Sequence, residues 1–266
     1  MCSFEENIDQ INVKKLIENE IVRQNEIYNK SLLIDNRKEK KTKKQLEEEQ
    51  LIKDFITATD NFVVYRPSFR LHTLLAGYPW FLDWGRDSLI SFEGLLLVTK
   101  RFDIAKEVLQ TLVRDIKFGL VPNGYSGFDN RPLYNSVDAS LLLFEQIQKY
   151  VEYTEDYEFV KENLYEKLKD VIENYKNGID VDDNNIYLDT DYLIVSGTQN
   201  TQNTWMDAKC NNKAVTPRNG KAVEINSLWY NANIIMADLE NKIGNKNDAK
   251  KYQELARKCK KAFNEK

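Results

Sequence analysis

A chain of 266 residues can form one large domain or two small ones around a sizeable core. Its 38 Lys and Arg against 42 Asp and Glu, a net charge of −4, argue against a general nucleic-acid binder. Cys2, Cys210 and Cys259 lack metal-ligand spacing, His72 is the single histidine, and no apolar run reaches membrane length, so we expect a cytoplasmic protein without metal, cofactor or membrane partner.

Helical spacing of Ile8, Ile11, Leu16, Ile17, Ile21, Ile27 and Leu32 predicts a first helix from about Glu5 to Ile34. The basic run Arg37 to Lys44 follows as a solvated linker, then a helix from about Lys44 to Phe62. A helix from about Ser88 to Thr99 is apolar almost all round and should be buried on every side. Amphipathic helices are predicted from about Asp103 to Lys117 and Tyr157 to Tyr175, with a more apolar one at about Leu141 to Val151 between them. Residues Asn177 to Lys221 read as a long, ordered, non-helical passage. An apolar-leaning helix at about Val223 to Asn241 and a charged one at about Lys246 to Phe263 complete the chain.

The stretch Ala76 to Ser88, AGYPWFLDWGRDS, interrupts this pattern. It mixes Tyr78, Trp80, Phe81 and Trp84 with Asp83, Arg86 and Asp87, broken by Gly77, Pro79 and Gly85. Flat apolar faces beside carboxylate and guanidinium suit a sugar, whose C–H face stacks on rings while its hydroxyls hydrogen-bond. The same composition also suits a structural loop, with Trp side chains plugging a core and an Asp–Arg pair closing a local salt bridge.

Buried-looking and amphipathic helices alternate in pairs, and the unusual loops precede the buried-looking members. This is the rhythm of an all-α fold, an α/α toroid, with about seven helices. Parallel inner helices would bring Asp87, Asp138 and Glu224 to one rim; a generic helical bundle is the alternative. Near helix starts, Asp87, Asp138 and Glu224 should be held ionised by the helix dipole, suited to gripping hydroxyls or simply to capping. Asp207, flanked by Trp205, Met206 and Ala208, is different: desolvation would raise its carboxyl pKa and make it a candidate proton donor.

The strings AGYPWFLDWGRDS, LYNSVDASL and TWMDAK…TPRNGKAVEINSLWYNA resemble the amylo-α-1,6-glucosidase part of glycogen debranching enzymes in its bacterial and archaeal form. The resemblance runs from about Leu51 to Asn233 and implies an (α/α)6 barrel of twelve helices, here truncated to about seven. It further implies inverting, metal-free hydrolysis of the α-1,6-linked glucose at a branch point of glycogen or a related α-glucan. On that resemblance Asp207 is the general acid, and Trp80, Asp83, Trp84, Arg86 and Asp87 bind the glucose. Asp138, Arg218 and Glu224 fall in the other substrate-binding motifs that line the cavity.

Departures from the family pattern include Cys210 to Lys213, where a Gly- and Trp-containing turn is usual, and Asn203, where an apolar residue is usual. The helix count implies that residues 1–44 form a connector helix and basic linker, and that 45–266 form a partial barrel lacking the C-terminal catalytic base. The missing part of the same barrel is then an expected partner. Two rival expectations stay open: an inactive or glucan-binding fragment, and another α/α-barrel glycosidase of the glucoamylase or trehalase kind.

Overall fold

The computed structural model describes residues 12–33, 41–77, 81–126 and 131–265. The start of the predicted first helix, the first half of the basic linker, and Tyr78, Pro79 and Trp80 of the aromatic stretch lie outside these residues. Among the described residues the fold is predominantly helical, with four short antiparallel ribbons between helices.

Helices α1 (Val13–Lys30) and α2 (Lys43–Asp60) pack on each other, α2 opening on a capping box between Thr42 and Gln45. Val13, Ile17, Ile21 and Phe55 on this pair remain exposed. The pair is tied to the body by Asp60, which accepts from Arg23 of α1 and from Arg101 beyond α3. The hairpin β1 (Val63–Arg66) and β2 (Leu71–Leu74) follows, in the register Val63 opposite Leu74. Glu107 of α4 (Phe102–Arg114) grips that hairpin, accepting from the His72 backbone N–H at 3.0 Å and lying 2.7 Å from His72 Nδ1.

Helix α3 (Gly85–Phe92) starts three residues earlier than the apolar pattern predicts. A Cβ on Gly85 would lie 2.3 Å from the Pro122 carbonyl oxygen, so glycine is needed where the aromatic loop turns into the helix. After Phe92 the helix widens into a π-helical turn, Glu93–Leu97, with Val98 N–H donating to the Glu93 carbonyl at 3.0 Å. The expectation of burial on every side fails at Ile90, which is 65% exposed. Its side chain projects into the cleft described below, not into the core.

The core is built around α5 (Ala139–Thr154) and α8 (Val223–Ile243), which pack on each other, α8 also lying along α9 (Lys246–Asn264). Trp229 of α8 stacks on Tyr175, whose hydroxyl donates to the Val137 carbonyl at 2.7 Å just ahead of α5. The predicted single helix from Tyr157 to Tyr175 is two, α6 (Tyr157–Asn163) and α7 (Tyr165–Asn177). Leu164 between them has φ −120°, outside helical geometry, while its side chain is fully buried, so the apolar pattern continues across the break.

The long passage to Lys221 is ordered by side chains that replace missing backbone partners. Asn226 of α8 accepts from Ile194 N–H at 2.6 Å and donates to the Ile194 carbonyl at 3.0 Å, as a neighbouring strand would. Asn203 is buried and donates to the Asn184 carbonyl at 3.1 Å, while its own carbonyl accepts from Val137 N–H at 2.8 Å. That last bond ties the segment before Asp207 to the segment before α5.

Candidate active site

One cleft of about 600 Å³ opens between these tied segments. From one side α3 and its entry loop supply Ala76, Phe81, Trp84, Arg86, Asp87 and Ile90; from the other come Asn135, Gln202, Trp205 and Asp207. The volume is in the range of small-molecule sites, and a polar floor between aromatic walls is the usual composition of one.

Arg86 organises the floor. Its Nε and Nη2 donate to Asp138 Oδ2 and Oδ1 at 2.7 and 3.0 Å, a bidentate fork. Nη2 also donates to the Thr204 carbonyl at 3.1 Å, and Nη1 donates to Asp207 Oδ2 at 2.7 Å. Ser136 completes the group by donating to Asp138. A lysine could not span these four acceptors, because only a planar guanidinium carries donors in a fixed fork. Burial works against the Arg86 charge, but hydrogen bonds and charge from Asp138, then Asp207, outweigh it and raise its pKa.

The aspartates around it are placed differently. Asp138 is buried, and both its oxygens are taken by Arg86 and Ser136. Asp207 has a side chain 41% exposed, with Oδ2 on Arg86 and its carboxyl in the cleft wall. The expected desolvation by Trp205 and Met206 is therefore not what surrounds Asp207; an exposed carboxylate on a guanidinium is. Asp87 is the carboxyl that burial pushes up from its ordinary value, against the opposing pull of its own backbone and of Arg86. Its place in the first turn of α3 pulls it down through its own backbone N–H, as a helix start should, but burial outweighs that pull.

The other expected site residues divide. Trp84 lines the cleft and also lies on Gly124, where an added Cβ would come within 3.2 Å of its ring. Asp83 is buried outside the cleft lining, accepting from Arg66 Nη1 at 3.1 Å and from the Thr73 hydroxyl at 3.3 Å, so it anchors the loop to the β1–β2 hairpin. Arg218 and Glu224 form a bidentate pair with each other at the start of α8, also outside the cleft lining. There burial raises the Glu224 carboxyl, yet the Arg218 hydrogen bonds prevail and lower its pKa. Trp80 lies outside the described residues.

Residue-by-residue reading missed Asn135, Gln202, Ile90, Phe81 and Trp205 as cleft residues. Trp205 carried the clearest signal, a tryptophan two positions before Asp207, and at 55% exposure it is an open aromatic face at the cleft edge. Among the described residues no group of His, Cys, Asp and Glu could hold a metal ion, and no helix is long and apolar enough to cross a membrane.

With this geometry in place, the chain can be compared with known proteins. The glycogen debranching enzyme of Saccharomyces cerevisiae is 27% identical over 232 residues, covering 66% of this chain and 15% of that protein. The chain thus spans a small part of the length of this relative. The family profile described as amylo-alpha-1,6-glucosidase matches residues 57–266, which include every described residue of the cleft, and the chain belongs to that family.

Proposed function

We propose that the cleft binds the single α-1,6-linked glucose at a branch point of glycogen or a similar α-glucan, and that the chain carries the acid half of an inverting hydrolysis. The observation that carries this reading is Asp207 in the cleft wall with one oxygen held by a buried arginine. Its Oδ2 is fixed on Arg86, so Oδ1 is the oxygen left to protonate the leaving glycosidic oxygen. Asp87 and Asn135 supply hydrogen bonds to sugar hydroxyls, and Trp205 offers a ring face for stacking. Arg86 and Asp138 act beneath them, fixing where Asp207 can sit.

The architecture we propose is that of an α/α barrel, with helix pairs over residues 45–266 and a connector over residues 1–44. Inversion needs a second carboxylate on the opposite face of the sugar, about 6.5–9.5 Å from the acid, with a water between them. We assign that base to a carboxylate outside the described lining of the cleft. Glu224, the remaining carboxylate of the expected set, is committed to Arg218 and does not line the cleft.

A second reading rests on one observation: burial raises the Asp87 carboxyl, the direction a general acid needs. In that reading Asp87 is the donor and Asp207 a binding group. Glucose release from a glycogen limit dextrin, by an enzyme that contains this chain, separates the two. Asp207→Asn should lower turnover by roughly 10²–10⁴-fold, while Asp87→Asn raises KM more than it lowers kcat. The reverse pattern would transfer the acid role to Asp87.

A further inference from the structure

Buried asparagines in this fold are mostly committed. Asn184 donates to the carbonyls of Tyr134 and Val181, Asn203 donates to Asn184, and Asn226 is bonded on both sides to Ile194. Asn123 is buried with both side-chain polar atoms unpaired but does not line the cleft, whereas Asn135, half-buried, stands in the cleft wall. Its Oδ1 is shielded from water without a hydrogen-bond partner, and its Nδ2 donates to none of the described residues.

The backbone on either side of Asn135 is held. The Tyr134 carbonyl accepts from Asn184, and Val137 N–H donates to the Asn203 carbonyl at 2.8 Å. The side chain therefore leaves a rigid segment, directly before the Ser136 and Asp138 that hold Arg86. An acceptor shielded from water without a partner is unfavourable. Turning the amide over would leave a donor in the same spot, and the deficit would remain. Rotation about Cβ–Cγ is soft for an asparagine and here breaks no hydrogen bond, so the amide can swing either atom into the cleft.

A ligand that fits such a group has a hydroxyl able both to donate and to accept, beside another of the same kind. Adjacent equatorial hydroxyls of a pyranose match the paired acceptor and donor of one amide. We propose that Asn135 is a substrate-recognition residue that reads two neighbouring hydroxyls of the bound sugar and thereby sets which sugar the cleft accepts. This rests on the glucose-binding reading of the cleft and deepens it.

The test uses the 266-residue chain and 1-deoxynojirimycin with its monodeoxy analogues, binding being followed by calorimetry. The unmodified chain should bind the parent iminosugar and bind one or two of the monodeoxy analogues about tenfold more weakly. Asn135→Ala should bind the parent about tenfold more weakly and lose its discrimination against those same analogues. Thermal unfolding should hardly change, because the side chain has no protein hydrogen bond to lose. Asn135→Ser, smaller but polar, serves as the second variant if the alanine protein fails to fold. If either variant binds the parent with unchanged affinity and keeps the discrimination, the role of Asn135 is wrong while the glucose cleft stands. If the unmodified chain does not bind the parent at all, the glucose reading itself fails and takes this inference with it.

Discussion

Two arginine–carboxylate corners stand at the starts of helices α3 and α8, and they differ in what surrounds them. At the entry of α3, Arg86 is only 8% exposed and holds Asp138, Asp207 and a backbone carbonyl at once. At the start of α8, Arg218 and Glu224 hold each other, with side chains 24% and 30% exposed. The chemistry of the pairs is the same; the solvent is not. A charge kept from water depends on its partners, whereas a half-exposed pair can exchange its partner for water. The first corner should therefore be structurally and functionally critical, and the second nearly dispensable for folding.

The largest expected effect follows from breaking the first corner. Arg86→Leu would leave Asp138 buried among Ser136 and backbone, with no cation to balance it. Removing one partner of a buried pair costs about 3–5 kcal/mol, against total stabilities of about 5–15 kcal/mol. Urea unfolding should show a loss on that scale together with loss of glucan binding. A stability change below about 1 kcal/mol would mean that the corner is no different from an exposed pair.

Asp207 tests the same corner from its open side. Because its side chain is 41% exposed, Asp207→Asn should leave the urea midpoint nearly unchanged while an enzyme that contains this chain loses roughly 10²–10⁴-fold in turnover. Asp138→Asn should do the opposite in proportion: a clear loss of stability, since an amide nitrogen would be forced against the Arg86 donors. Equal effects from the two substitutions would erase the distinction between the buried and the open acceptor.

Much of this corner is legible in the sequence, but not its division of labour. The DWGRD and TWMD strings single out Arg86, Asp87 and Asp207 because such mixtures of ring, charge and glycine serve no helix or strand. They do not tell which way each side chain points. Loop neighbours follow no period of 2 or 3.6, so Trp205 read as a desolvating flank of Asp207 although it stands open at the cleft edge. Asp83 and Asp87 are equally charged and four residues apart, yet one anchors a hairpin and the other lines the cleft. Asp138 shows its place at a helix start, but not that a residue 52 positions earlier occupies both its oxygens. The helices are legible wherever amphipathic periodicity is long. They fail at Leu164, where an apolar residue continues the pattern through a backbone that has left the helix.

Titration should separate Asp87 from the second corner by sign. The folded Asp87 carboxyl titrates above its ordinary 3.8, so from about that pH upward the folded state binds more protons than the unfolded chain. Its contribution to stability accordingly falls as pH rises through that window. Asp87→Asn should remove that downward slope from a plot of Tm against pH. An unchanged slope would show that burial does not govern this carboxyl.

The smallest effect is expected at Glu224. Its folded carboxyl titrates below its ordinary 4.5, so its contribution is fully present above that pH and is lost as pH falls through the folded value. The slope is thus opposite to that of Asp87. Its size is limited by exposure: with both partners about a quarter to a third exposed, the pair is worth about 0–1 kcal/mol and is weakened further by salt. Glu224→Gln should shift the neutral-pH urea midpoint barely beyond error, flatten the acid limb below about pH 4.5, and lose even that effect in 1 M salt. A salt-independent loss of several kcal/mol would show that the Arg218 pair is as buried in effect as the Arg86 corner. The contrast between the two corners would then lie in their place beside the cleft and not in their access to water.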